Sequence, residues 1–492
     1  MKSSTKTNVK NGLPPAVDLK LLNIVLLLIG FVGLFSSNPL ESAFAIFQLF
    51  VLLKSYWRQN LPPVVLLLFL VPWLEINAAI LEANLIGETL NEMLHGSGTR
   101  AYWISSLGFM AVHLGFYRIF KKVRVPSFER LTSAAEALSF NKLIIAYLAI
   151  GPLTGIVAGF IGRGSGLYQF VTYLNEISLA ILIVICLRQV ILGQINRTFV
   201  AFLAAVLVVS FYSFFSEWRL LLFALFIAFG TLQVITTRTV MRVLVIGVIF
   251  GNVIFLWQGI KPLYRAYLTG QNSLTGGLIS QSVNRSQSEA LGKFFELTQQ
   301  FYAGELEGAT REDNIEINSE ELLYSTLRRV GYLEFMALTL NNVPDRIPHE
   351  EGKLLKSNLS FALIPRILNP NKGVKDDGAK VEKYTQFVVS ENSSFSLGHY
   401  VEYFIDFGSY WMMIALFIFG WIGGRIYRLC YSRSPDTNPL FLCGILYITL
   451  FQWGSYQNDA IWIYGLTFFG AICHLFLFRP IYSLIVNFTT NQ

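Results

Sequence analysis

Two sets of side chains in this sequence could act on a polar ligand, and both lie beside long apolar segments. Carboxylates and one imidazole could accept a proton from a hydroxyl group, and they are Glu217, His399, Glu402 and Asp406. Guanidinium groups could bind an oxyanion through paired hydrogen bonds, and they are Arg219 and Arg366, followed by Arg163 and Arg265. For such chemistry, the surrounding elements must bring these side chains to one face of the protein.

The composition of the chain is typical of a polytopic membrane protein. Of its 492 residues, 53% are hydrophobic and 14% are charged, whereas a soluble domain has about 25% charged residues. We therefore expect an all-α fold of about twelve membrane-spanning helices, each about 20 residues long. The predicted spans are 21–35, 40–53, 63–83, 101–120, 143–161, 168–192, 199–215, 220–235, 243–259, 409–425, 440–453 and 461–478.

The positive charges alternate between the connections that join these spans. The N-terminal tail and every second connection after it are basic, while the intervening connections carry only Arg100, Arg163 and Arg219. Positive residues near helix ends are retained on the cytoplasmic side of a membrane. We therefore expect both termini to be cytoplasmic and the large loop to be extracytoplasmic. This bias also accounts for most of the net charge of +7 without a nucleic-acid partner.

The spans divide the chain into three regions. These are an N-terminal membrane region (1–260), a large polar loop (261–407) and a C-terminal membrane region (408–492). The four cysteines all lie in the predicted spans or near the inner face, so no disulfide is expected in the loop. Their spacing fits no metal site, and we expect neither a metal nor a cofactor.

The large loop is predicted to contain amphipathic helices. Apolar residues recur at helical spacing from Leu291 to Phe301. A second helical run covers 320–340, where Asn318 and Glu321 form a potential capping pair. These helices form either a structural lid or a surface that contacts the substrate.

Two short motifs lie at the outer ends of predicted spans. One starts with Ile364-Pro-Arg-Ile-Leu-Asn-Pro-Asn-Lys372 and runs through Ser393-Ser-Phe-Ser396 to Tyr400-Val-Glu-Tyr-Phe-Ile-Asp-Phe-Gly408. The other is Ser216-Glu-Trp-Arg219. The first resembles the bacterial O-antigen and exopolysaccharide repeat-unit polymerases (Wzy-type), whose loops carry Pro-Arg and Pro-x-Lys elements and a Phe-Gly before the next helix. The second resembles the arginine turn of those polymerases and of the related O-antigen ligases.

This resemblance implies a metal-independent membrane glycosyltransferase in the bacterial cytoplasmic membrane. It would transfer a glycan from polyprenyl diphosphate to a hydroxyl of an incoming lipid-linked repeat unit on the outer face. Its partners would be the lipid-linked oligosaccharides and membrane lipids, and whether a chain-length regulator binds stays open. The arginines named above would then hold the leaving diphosphate, whose charge develops in a partly dry setting. The carboxylates and His399 would be candidates for the base. His399 departs from the ligase pattern, however, because it lies fewer residues before Gly408 than the ligase histidine lies before the corresponding glycine.

Two other function classes remain open from the sequence. A lipid-linked oligosaccharide flippase or another transporter fits the number of spans, but the chain shows no internal repeat of the kind many transporters have. A glycan acyltransferase would need an intramembrane histidine, for which His113 is the candidate. The intramembrane carboxylates Glu75, Glu82 and Glu176 are expected either to pair with Arg163 or Arg219 or to take part in catalysis.

Overall fold

The computed structural model describes residues 19–58, 61–123, 125–161, 167–212, 218–231, 237–269, 286–306, 319–364, 369, 377–388, 396–433 and 438–490. In these ranges the secondary structure is helical, with one isolated bridge between Leu138 and Thr490 and no strand. The prediction of an all-α fold is therefore confirmed.

Helices occur in all three stretches of the chain, 1–260, 261–407 and 408–492, and the assignment of the middle stretch to an extracytoplasmic loop stays a prediction. The first region contains α1 (Leu19–Gly33), α2 (Pro39–Tyr56), α3 (Val64–Ile86), α4 (Leu90–Met93), α5 (Gly98–Phe120), α6 (Phe128–Glu136), α7 (Phe140–Ile161), α8 (Tyr168–Ile191), α9 (Arg197–Ser210), α10 (Trp218–Gly230) and α11 (Thr237–Thr269). The loop contains α12 (Gln287–Tyr302), α13 (Ser319–Val330), α14 (Glu334–Leu340), α15 (Lys353–Leu363) and α16 (Asp377–Thr385). The last region contains α17 (His399–Arg433), α18 (Pro439–Leu450), α19 (Ala460–Leu477) and α20 (Arg479–Thr489).

The long apolar helices identify a membrane protein. Among the described residues, six helices are long and apolar enough to cross a bilayer, namely Val64–Ile86, Phe140–Val157, Phe170–Ile191, Leu244–Leu268, His399–Ser432 and Ala460–Leu477. Shorter apolar helices cover Leu22–Gly33, Arg197–Ser210, Trp218–Gly230 and Pro439–Gly454. Each predicted span overlaps a helix of the structure, including α2 and α5.

Glycines allow α17 to pack closely against α5. A Cβ atom added at Gly420 would overlap the backbone carbonyl of Val112, and one added at Gly115 would overlap the carbonyl of Phe417. Small residues let backbones come together where surrounding lipid gives no hydrophobic driving force for helix association. This contact fixes the position of the helix that carries three of the candidate site residues.

The substitution Gly420→Ala is expected to destabilise the protein by about 1 to 3 kcal/mol, because the new methyl group forces α5 and α17 apart. The measurement is the midpoint of thermal unfolding in detergent. Gly155→Ala is the matched control, since no atom lies within 4 Å of a Cβ added there and alanine favours a helix. Equal midpoints for the two variants would contradict the packing argument.

Helix α17 is interrupted at Gly408. The backbone there has φ of 68° and ψ of 179°, a conformation that favours glycine because a side chain would strain it. The predicted start of the last membrane region, residue 408, therefore falls at a break in the structure. At the other end of the loop, α11 continues without interruption past residue 260 to Thr269.

The predicted helix over 320–340 is two helices, so this expectation is corrected. Helix α13 ends at Val330, and α14 begins at Glu334. Between them the N–H of Tyr332 donates to the backbone carbonyl of Glu75 at 2.9 Å, a tertiary contact that the helical pattern does not show. The expected cap residue Asn318 lies outside the described residues.

Candidate functional site

The structure describes five of the eight candidate site residues. Glu217, Arg163 and Arg366 lie outside the described residues. Arg219 follows Trp218 in the first turn of α10, and Arg265 lies near the end of α11. The remaining three, His399, Glu402 and Asp406, all lie on the segment of α17 that precedes its break.

Glu402 is the centre of a buried polar cluster. Its side chain is almost inaccessible, and three donors surround the carboxylate. The Nζ atom of Lys380 lies 2.5 Å from Oε1, while Nδ2 of Asn358 and the backbone N of Ala460 lie 3.1 and 3.0 Å from Oε2. These donors come from α16, α15 and α19, so the cluster joins the loop to the membrane helices. A buried carboxylate without a counter-charge would cost several kcal/mol.

Lys380 supplies the cation of this cluster, and sequence reasoning missed it. Burial lowers the pKa of its ammonium, but Glu402, with smaller effects from Asp459 and Asp377, more than offsets this, so the net pKa is raised. The local sequence is polar and typical of an exposed helix. No local signal therefore distinguishes Lys380 from Lys383, whose side chain is 53% exposed.

Asp406 caps another helix. Its Oδ1 and Oδ2 atoms accept the backbone N–H groups of Leu354 and Leu355 at 3.0 and 2.7 Å. These N–H groups open α15 and have no partner within that helix, and the N-cap residue Gly352 has no side chain to offer them. A carboxylate at this position also interacts favourably with the helix dipole. Asp406 thus holds α15 against α17, and its role as a base stays a prediction.

His399 is enclosed by aromatic rings. The side chain is 1% exposed, and the rings of Tyr400 and Phe419 lie 4.4 and 5.1 Å from it between centroids. Neither ring nitrogen makes a hydrogen bond with the described residues, although backbone groups of Ser455 and Asn458 lie near the ring. This position gives His399 no open path to a large substrate in the structure as described, and its role as a base stays a prediction.

Glu75 of α3 binds the connection between α18 and α19. Its Oε2 accepts the N–H of Tyr456 at 2.6 Å, and its Oε1 accepts the hydroxyl of Ser455 at 3.4 Å. Arg219 lies within electrostatic range of the carboxylate, and an ion pair between the two stays a prediction. The backbone carbonyl of Glu75 also accepts a hydrogen bond from the N–H of Tyr332. Glu75 therefore lies where α3, α10, the region 261–407 and the C-terminal region meet.

Arg265 and Arg329 bring two positive charges together where α11 packs against α13. Helix α13 is anchored on α3 by the ion pair between Arg328 Nε and Glu82 Oε1, 2.6 Å apart. The carboxylate of Glu82 is buried, as expected for an intramembrane carboxylate with a partner. Guanidinium groups of α10 and α13 therefore lie beside α3, near Glu75 and at Glu82, and Arg265 of α11 lies near Arg329 of α13.

A second polar group lies deeper among the membrane helices. Glu176 Oε2 lies 3.2 Å from Nε2 of His474, and Nδ1 of His474 lies 3.1 Å from the hydroxyl of Tyr482. Among the described residues Glu176 thus has a histidine as its partner, and one of the two arginines expected to pair with it, Arg163, lies outside them. His474 belongs to a π-helical stretch of α19, Cys473–Leu477, and sequence periodicity did not single it out.

His113, the residue that an acyltransferase would need, is a core histidine. It is 2% exposed, and the rings of Tyr56 and Tyr117 lie 5.3 and 5.7 Å from it between centroids. All four cysteines are buried free thiols. Within the described ranges no group of three or more His, Cys, Asp and Glu side chains is arranged to hold a metal ion.

Comparisons with known proteins do not assign a function to this chain. The chain matches no protein-family model, no curated protein and no solved structure. Any functional conclusion therefore depends on the chemistry of the two features described above. These are the buried cluster around Glu402 and the arginines of α10, α11 and α13.

Proposed function

We propose that this protein is a membrane glycosyltransferase that polymerises oligosaccharide repeat units carried on polyprenyl diphosphate. The observation that carries the proposal is the set of guanidinium groups on α10, α11 and α13. Arg265 of α11 lies close to Arg329 of α13. Arg219 of α10 lies within electrostatic range of Glu75 of α3. Like charges gathered near the ends of apolar helices favour an anionic group presented at a membrane interface. A diphosphate on a lipid carrier is such a group.

The proposed topology places this site on the outer face of the bacterial cytoplasmic membrane. About twelve spans would cross the bilayer, with both termini cytoplasmic and the region from 261 to 407 outside. The alternation of basic connections supports this orientation. The substrates would be lipid-linked oligosaccharides, which reach the site from the surrounding lipid.

The proposed reaction is a displacement at the anomeric carbon of the donor glycan. An acceptor hydroxyl loses its proton to a base, its oxygen bonds to the anomeric carbon, and the bond from that carbon to the diphosphate breaks. The departing diphosphate carries the electron pair. Arginines stabilise this charge more effectively than lysines would, because each guanidinium offers two parallel N–H groups in a fixed geometry. Arg366 and Arg163 remain candidates for the same role.

A flippase is the alternative, and one observation favours it. Buried ionisable groups within membrane helices commonly mark ion or substrate pathways, and the proposed polymerase reaction gives no role to Glu176 and His474. A transporter would move lipid-linked units across the bilayer and leave their glycosidic bonds unchanged. The two functions therefore differ in a product that is directly measurable.

Purified protein in detergent is expected to extend lipid-linked repeat units without any energy source, because breaking the diphosphate linkage supplies the driving force. The measurement is the appearance of a ladder of longer glycans by gel electrophoresis and mass spectrometry. The control is the same mixture with heat-denatured protein. Transfer of substrate across liposome membranes with no new glycosidic bond would overturn the polymerase and support the flippase.

A further inference from the structure

His349 lies over the break in α17, in the connection between α14 and α15. Its Nδ1 atom is 3.1 Å from the backbone carbonyl oxygen of Ile405, and the next residue, Glu350, donates its N–H to the same oxygen at 3.0 Å. The ring of Phe404 packs edge-on against the imidazole, 5.5 Å away between centroids. The ring is therefore held by contacts on one nitrogen and on one face.

The hydrogen bond to Ile405 fixes which nitrogen carries the proton in the neutral ring. A carbonyl oxygen only accepts hydrogen bonds, so Nδ1 must be the donor. In the neutral imidazole the lone pair is then on Nε2. A histidine oriented in this way through one nitrogen presents the other as a proton acceptor. Among the described residues, Nε2 of His349 has no hydrogen-bond partner.

Gly408 keeps space beside this nitrogen. A Cβ atom added at Gly408 would lie 3.1 Å from Nε2 of His349, a tight contact to which the ring would have to adjust. The positive φ of Gly408 also selects glycine. The glycine of the Phe407-Gly408 pair thus has two functions, to break the helix and to leave Nε2 uncovered.

Accessibility separates His349 from the histidine that the sequence indicated. The side chain of His399 is 1% exposed and surrounded by aromatic rings, whereas His349 is half-buried. His349 is also next to the point where α17 breaks at the edge of its long apolar segment. A lipid-linked acceptor would present its glycan near such a boundary.

We propose that His349 is the general base that activates the acceptor hydroxyl, and this inference rests on the proposed polymerase function. The hydroxyl proton moves to Nε2 while the hydroxyl oxygen bonds to the anomeric carbon of the donor. The bond between that carbon and the diphosphate breaks, and the diphosphate leaves with the electron pair. The imidazolium then returns its proton to water, which completes the cycle without a further reactant.

The test is the substitution His349→Asn. The asparagine amide can still donate to the carbonyl of Ile405, so the fold is expected to persist, but the variant has no base at the position of Nε2. Polymer formation is expected to fall about a hundredfold or more, with an unchanged midpoint of thermal unfolding. His95→Gln is the matched control, because His95 is an exposed histidine whose ring lies 3.5 Å from Glu334, and it is expected to keep full activity.

Chemical rescue separates a base from a structural residue. Added imidazole is expected to restore part of the activity of His349→Ala, because a free base can occupy the space left by the ring, and to leave His349→Asn inactive. If the wild-type protein forms polymer and His349→Asn forms it at a near-normal rate, the role of His349 is overturned, whereas the proposed function is not. Rescue failing in a folded His349→Ala protein would also overturn it. A wild-type protein that forms no glycosidic bond would overturn the proposed function, and the inference with it.

Discussion

Arg219→Lys and Arg265→Lys are expected to reduce polymer formation about a hundredfold each, although both keep the positive charge. The loss of one transition-state donor typically raises a barrier by about 2 to 4 kcal/mol, and an ammonium does not reproduce the paired N–H groups of a guanidinium. The measurement is the initial rate of glycan extension with purified protein. Arg366→Lys is expected to behave in the same way.

The control for these variants is an arginine at the predicted inner face. The guanidinium of Arg425 stacks over the ring of Trp421 at 4.6 Å, and Arg425→Lys is expected to leave the rate nearly unchanged because a lysine can still reach the headgroups. If the variants at Arg219, Arg265 and Arg366 all retained normal rates, the arginines would be lipid anchors. The diphosphate site would then have to be placed elsewhere.

Lys380→Met is expected to destabilise the protein by about 3 to 5 kcal/mol, because it removes the counter-charge of a buried carboxylate. The double variant Lys380→Met with Glu402→Gln is expected to recover part of the loss, since the buried charge is then absent. The measurement is the midpoint of thermal unfolding in detergent for the three proteins. Polymer formation, measured in parallel, would show whether the cluster also supports activity.

A second lysine on the same helix provides the comparison. Lys383 pairs with Glu350 at 2.8 Å, but its side chain is 53% exposed, and exposed ion pairs contribute about 0 to 1 kcal/mol. Lys383→Met is therefore expected to change stability little. Equal losses from Lys380→Met and Lys383→Met would contradict the claim that burial makes the pair with Glu402 important.

The break in α17 illustrates what could be predicted from sequence. The Phe407-Gly408 pair indicated the start of a helix, and the structure has its interruption at Gly408. A glycine that adopts positive φ acts through its own backbone, so its effect is local and readable. The loop helix 320–340 shows the limit of the same method. Its pattern is continuous, yet the helix is interrupted after Val330, where the N–H of Tyr332 donates to the backbone carbonyl of Glu75.

The candidate site was only partly predictable for the same reason. Glu402 and Asp406 stood out because carboxylates are rare beside apolar segments. Their partners did not, since Lys380 and the N–H groups of Leu354 and Leu355 belong to elements that the sequence does not connect to α17. Neither Lys380 nor His349 differs in local pattern from an ordinary surface residue.

The sequence by itself determined that this protein is all-helical and rich in long apolar helices. Apolar runs act over about 20 residues at a time, because the bilayer sets the length of a span. Only the tertiary structure decided which polar groups meet. Glu75 binds the backbone of Tyr456, 381 positions later in the chain. Such a contact depends on how the helices pack, and packing is determined by the whole set of helix surfaces rather than by any one segment.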